Sequence, residues 1–195
     1  MPTVHIYSRL GRYPFHFHMS ESVYGSTIAK NVIYKSNQRC IVVHGSHNVT
    51  VSENVAYDTK GHCFMLEDGG EWDNTFSSNL GALTKALPRD IIRPGETDHF
   101  PSTYWMTNPS NHWVGNVAAG AAGPGFWFEL KLRGPSADLA INQDVNPKYN
   151  PLGTFDDNVA HSNNFRAGIT TYETGYQAPE GTTWSNIRSY KNKGL

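Results

Sequence analysis

Apolar and polar residues alternate through short runs of this chain, and the runs repeat. In Cys40-Ile41-Val42-Val43-His44, strand alternation places Ile41 and Val43 on one side and Cys40, Val42 and His44 on the other. The stretch NVIYKSNQRCIVVHG, from Asn31, returns 23 residues later as NVAYDTKGHCFMLED, from Asn54, with Asn, Val, Tyr and Cys in register. A third copy, NVAAGAAGPGFWFEL, begins at Asn116, and weaker starts follow Asn79, Asn158 and Asn186. A 23-residue period also suits leucine-rich repeats, but the Leu-x-x-Leu-x-Leu frame is missing and the runs are β-branched or aromatic, bounded by Gly and Asn. The pattern therefore predicts an all-β fold, a parallel β-helix of about five to six turns. It is right-handed, as parallel crossovers almost always are.

Laying the copies over one another separates two faces. Phe15, Phe17, Ile41, Val43, Phe64, Leu66, Tyr104, Met106, Phe126 and Phe128 occupy equivalent positions and predict the interior. The opposite face carries His16 and His18, Val42 and His44, Met65 and Glu67, Trp105 and Thr107, then Trp127 and Glu129, and its mixed character predicts contact with water. Asn31, Asn54, Asn116 and Asn158 are expected at one corner of successive turns, where Asn tolerates left-handed backbone and bonds to neighbouring main chain.

Composition narrows the function classes. The net charge is -1 and no basic run could neutralise a row of phosphates, which argues against nucleic acid as a partner. No stretch reaches transmembrane length, and the N-terminus lacks the apolar core of a signal peptide. The chain of 195 residues is expected to form a single β-helix domain, with loops inserted near 84–101 and 131–154. It opens in the strand-like TVHIYS and closes inside the repeat NIRSYKNKGL without polar caps, so a piece of a longer protein is expected.

The chemistry gathers on the predicted outer face. Strands of a parallel sheet lie about 4.8 Å apart, so His18, His44 and Glu67 form a column with His16 beside it. Imidazoles and a carboxylate at that spacing suit a divalent zinc-like transition ion; a solvated polar ladder is the plainer alternative. Glu67, Asp68, Glu71 and Asp73 cluster just past a strand, as general acid–base chemistry or calcium binding would use them. Trp105 and Trp127 lie either in an open groove, as stacking platforms for sugar rings, or under an inserted loop. Arg39 and His62 precede successive strands; Arg39 is a candidate to pair with carboxylates of an acidic polymer, and His62 or Glu67 to move protons together with Asp68. Cys40 and Cys63 align in adjacent turns within disulfide reach, but side-by-side positions favour free, stacked thiols on the His face. Asn48-Val49-Thr50 forms a glycosylation sequon at a predicted turn.

Three ordered motifs, GRYPFHFHM, RCIVVHGSHNVTV and GHCFMLEDGGEWDNTFSSNLGAL, closely resemble the β-helix region of the cell-migration-inducing and cell-surface hyaluronidases and of fibrocystin-like receptors. That resemblance is strongest over residues 11–83. It implies an extracellular or cell-surface setting and an acidic linear polysaccharide such as hyaluronan as the partner. Two functions are compatible with it: degradation of that polymer, by hydrolase or lyase chemistry, or a non-catalytic β-helix of a cell-surface receptor that binds glycan or protein.

Overall fold

A computed structural model describes residues 13–92, 95–131, 146–165 and 167–193. Three parallel sheets of six strands each form a parallel β-helix, with one strand of every sheet in each turn. The first sheet holds Phe15–Ser22, Ile41–His47, Phe64–Leu66, Tyr104–Met106, Phe126–Phe128 and Ile169–Thr170. In the second lie Thr27–Ala29, Thr50–Ser52, Thr75–Ser77, His112–Val114, Phe155–Asp156 and Trp184–Ser185. The third is built from Val32–Tyr34, Val55–Lys60, Leu80–Lys85, Val117–Ala119, Val159–His161 and Arg188–Tyr190. The initial TVHIYS and the centre of the second inserted loop, 132–145, lie outside the described residues.

The register is the one that the alternation dictates. Ile41 pairs with Phe15 and Phe64, and Tyr104 with Phe64 and Phe126. From Ile41 to Phe128 the predicted interior residues are fully buried, and the partly buried Phe15 and Phe17 pack against them in the first described turn. Identical geometry in every turn stacks like on like: the rings of Phe64 and Tyr104 lie 4.9 Å apart, those of Tyr104 and Phe126 4.5 Å. Each such side chain contributes about 1.5–3 kcal/mol through burial. Room for the stack comes from small residues in the third sheet, the column Ala56, Gly81 and Ala118. A Cβ on Gly81 would stand 2.1 Å from Thr103 Cγ2.

The asparagine corner is a continuous hydrogen-bonded ladder. Asn54 Oδ1 accepts from the Asn31 backbone N–H, Asn79 from Asn54, Asn116 from Asn79 and Asn158 from Asn116, all at 3.0–3.1 Å. Their Nδ2 groups donate to main-chain carbonyls of the preceding turn, so groups at a buried corner that no strand could pair are satisfied. The residue before each is left-handed: Lys30, Glu53, Ser78, Gly115 and Asp157. In the last turn the expected start at Asn186 is displaced by one. Arg188 pairs with Val159, so Ile187 occupies the ladder position and Asn186, with φ 53°, is the left-handed residue before it.

Two expectations are corrected. Cys40 and Cys63 form a disulfide with a Cα–Cα distance of 4.6 Å, and both lie in the core rather than on the His face. The left-handed Arg39 and Gly61 turn the corner just before them, so strand alternation does not extend back to either cysteine. The second face of the first sheet is also not open throughout, because Val42, Met65, Trp105 and Trp127 form a second buried cluster with Tyr13 against it.

Candidate functional site

The outer face of the first sheet carries two columns. One is the buried apolar cluster just described. The other is polar and runs His18, His44, Glu67, Thr107 and Glu129, one residue per turn. His18 pairs with His44; Glu67 follows Leu66, the partner of Val43; Thr107 and Glu129 follow the paired Met106 and Phe128.

At the start of this column three imidazoles converge. One ring nitrogen from each of His16, His18 and His44 lies within 4.8 Å of the other two, and the Nδ1 atoms of His18 and His44 are 3.0 Å apart. Behind His44, Nε2 meets Asp68 Oδ2 at 2.6 Å, while Glu67 Oε2 stands 3.6 Å from Nδ1. A carboxylate only accepts, so Nε2 carries the proton and the Nδ1 of a neutral His44 presents its lone pair toward His18. Burial disfavours the charged form of His44, but the Asp68 hydrogen bond and the charges of Glu67, Asp68 and Glu71 outweigh it and raise its pKa above the ordinary 6.5.

Glu71 holds this arrangement together. It is fully buried, and its Oε1 accepts from the backbone N–H groups of Gly45 and Asp68 while Oε2 accepts from Gly69. One carboxylate thereby ties the residue after His44 to the loop that carries Asp68. Burial pushes its pKa up, with the backbone donors pulling the other way.

Farther along the column a pocket of about 300 Å³ opens, lined by Met65 and Trp105 with Glu67, Glu96, Glu129 and Lys131 around them. Its wall comes from the first inserted loop. After a single turn of 3₁₀ helix, Arg89–Ile91, the segment 95–98 crosses the face and seats Asp98 on Arg39 Nη1 at 2.9 Å and on the His62 backbone N–H at 2.9 Å. Burial opposes ionisation of Asp98, yet the charges of His62 and Arg39 and their hydrogen bonds hold its pKa below the ordinary 3.8. The His62 ring reaches Thr97 and Ser102 and packs at 3.9 Å on Trp105. Lys131 bonds Glu129 at 2.5 Å; burial lowers its pKa, but the partnership with Glu129 and Glu173 raises it on balance.

Residues 7–169 match the CEMIP β-helix family. This chain belongs to that family. Human Cell surface hyaluronidase CEMIP2 is 34% identical over 188 residues, covering 83% of this chain and 14% of the relative. Human Cell migration-inducing and hyaluronan-binding protein is 36% identical over 192 residues, 82% of this chain and 14% of that protein. Mouse Fibrocystin-L is 34% identical over 186 residues, covering 92% of this chain and 4% of its own length. No helix among the described residues is long and apolar enough to cross a membrane.

This CEMIP β-helix brings His16, His18, His44, Glu67 and Asp68 together and sorts the other expected site residues elsewhere. Arg39 is spent on Asp98 inside the wall, which corrects its placement as a surface cation for a polymer, and His62 is buried beside it. Trp105 and Trp127 stand on the outer face, as alternation places them, but are 5% and 3% exposed, which corrects the open-groove alternative in favour of the covered one; Trp127 Nε1 donates to the Tyr172 carbonyl at 3.3 Å. The four clustered carboxylates separate: Asp68 turns to His44, Glu71 to backbone, and Asp73 to His112 at 3.4 Å, an arrangement unlike the oxygen cage calcium requires. Sequence reasoning missed Asp98, which lies in an insertion with no counterpart in other turns. It also missed Lys131, although its spacing of two from Glu129 was a usable signal.

Proposed function

We propose that the outer face of the first sheet binds an acidic linear polysaccharide of the hyaluronan class and that the parent protein shortens it there. The observation that carries this reading is the pocket around Met65 and Trp105, in which Lys131 and four carboxylates, Glu67, Glu96, Asp98 and Glu129, surround an apolar floor, with Asp98 neutralised by Arg39 in the wall. An apolar floor suits the flat face of a sugar ring, and Lys131, half-exposed although paired with Glu129 and Glu173, is the cation at its rim that a uronate carboxylate would recruit from them. Glu67 lies at the boundary between pocket and imidazoles and is the candidate for proton transfer, with Asp68 acting through His44. The names of the two human relatives, one a hyaluronidase and one hyaluronan-binding, support the same substrate class. An extracellular or cell-surface setting agrees with the buried disulfide, a bond that persists in oxidising compartments.

The competing reading is a binding module without catalysis, favoured by the equally strong match to Fibrocystin-L, whose name carries no activity. Size analysis of hyaluronan incubated with the full-length parent separates the two. Glu67→Gln is expected to slow shortening about 100-fold or more while binding persists. Lys131→Glu should weaken binding itself, and the loss should shrink at high salt, where the ionic contribution is already screened. A parent that binds without shortening the polymer establishes the module, and one that does neither removes the substrate class.

A further inference from the structure

We infer that His16, His18 and His44 form a three-imidazole centre for a zinc-like divalent ion, with Asp68 as the residue that orients His44. This site is argued from protein geometry; it shares His44, Asp68 and Glu67 with the proposed function, and its test reads metal uptake without the polymer.

Donor spacing is the first argument. Nitrogens bound to one zinc at about 2.0–2.1 Å in tetrahedral geometry lie about 3.4 Å from each other, and about 2.9 Å at a right angle. The 3.0 Å between the Nδ1 atoms of His18 and His44 falls inside that interval, and the third imidazole has a nitrogen within 4.8 Å of both. No other group of three or more such side chains among the described residues converges in this way.

The second argument is what stands behind the ligand. A metal-binding histidine typically donates its other ring N–H to a carboxylate, which fixes the tautomer and makes the ligating nitrogen more basic. His44 places Nε2 2.6 Å from Asp68 Oδ2, the position such a carboxylate partner takes, and leaves Nδ1 to face the cluster. Asp68 in turn is fixed, because its backbone N–H and that of Gly45 are both held by the buried Glu71. A solvated ladder of histidines would have no use for a buried carboxylate spent on clamping the loop behind one of its rings.

Third, the donor set selects the ion. Three neutral nitrogens suit zinc, copper or iron, whereas calcium and magnesium ask for oxygen. Three protein ligands also leave a fourth position for water or a substrate oxygen, as catalytic zinc sites do, and Glu67 Oε2 stands beside it at 3.6 Å from His44 Nδ1.

The test uses tag-free protein prepared without chelator. Elemental analysis is expected to find close to one equivalent of zinc or a neighbouring transition metal. After chelation and dialysis, calorimetric titration with zinc chloride should recover one site, and titration with cobalt chloride should give the visible bands of a nitrogen-ligated centre. His18→Ala should weaken zinc binding at least 100-fold. Asp68→Asn, nearly isosteric, should weaken it about 10–100-fold, the usual range for the partner of a ligating histidine. Lys131→Glu, in the neighbouring pocket, should leave it unchanged, which separates this site from the polysaccharide surface. Circular dichroism identifies any variant that fails to fold, and Asp68→Asn then carries the test. Absence of a one-equivalent site in the parent, or equal zinc affinity in parent and folded His18→Ala, overturns the proposal.

Discussion

Asp98 reaches back 59 residues to neutralise Arg39 in the wall of the pocket, and both side chains are shut away from solvent. Asp98→Asn leaves the guanidinium buried without its counter-charge and is expected to cost about 3–5 kcal/mol, read from urea unfolding at neutral pH. The same pair sets an acid limit. Because the pKa of Asp98 is depressed in the folded state, its contribution is fully present above the ordinary carboxylate value of 3.8 and is lost as pH falls through the depressed value. Parent protein should therefore lose stability below about pH 4 more steeply than Asp98→Asn, which has no such carboxylate to protonate. At this scale the sequence was legible wherever strand alternation ran unbroken, as for His18, His44 and Glu67. It failed at Arg39, Cys40 and Cys63, since left-handed residues at the corner reset the phase of the side chains.

Between residue and molecule, the working element is the asparagine corner. Asn79 accepts from the Asn54 backbone and side chain, donates to the Val51 carbonyl and passes the ladder on to Asn116. Asn79→Ala strands the Asn54 N–H and the Val51 carbonyl inside the protein, each at about 1–3 kcal/mol. The same change at Asn31, the half-exposed first rung, should cost clearly less, and thermal unfolding of the two variants makes the comparison. Asparagines recurring with a strand period announced this ladder. The weak repeat start at Asn186 is off by one, because Ile187 ends the asparagine series while the neighbouring Asn186 imitates it. Alternation also could not say that the face bearing Trp105 and Trp127 is covered, since the cover is supplied by the segment 95–98 and by Tyr172, far off in sequence.

Across the whole molecule the strands of each turn pair only with those of neighbouring turns, so cohesion depends on links between turns. The Cys40–Cys63 bridge joins the second turn to the third inside the core, and closes a sequence separation of 23 residues. Replacing both cysteines by Ala should lower stability by about 3 kcal/mol, detectable as a lower melting temperature. An unchanged melting temperature would mean that the bridge contributes nothing. The architecture at this scale was readable because every turn repeats the same interior, whereas the site was only half readable because one of its two parts is assembled by inserted chain. Successive rungs of the ladder are separated by 23, 25, 37 and 42 residues, yet their hydrogen bonds keep one length. Doubling a loop costs only about 0.6 kcal/mol in closure entropy. The coil thus behaves as a chassis with interchangeable fittings: a foreign segment spliced between Leu87 and Asp98, with Asp98 kept to neutralise Arg39, reshapes the recognition surface and leaves the frame that bears it intact.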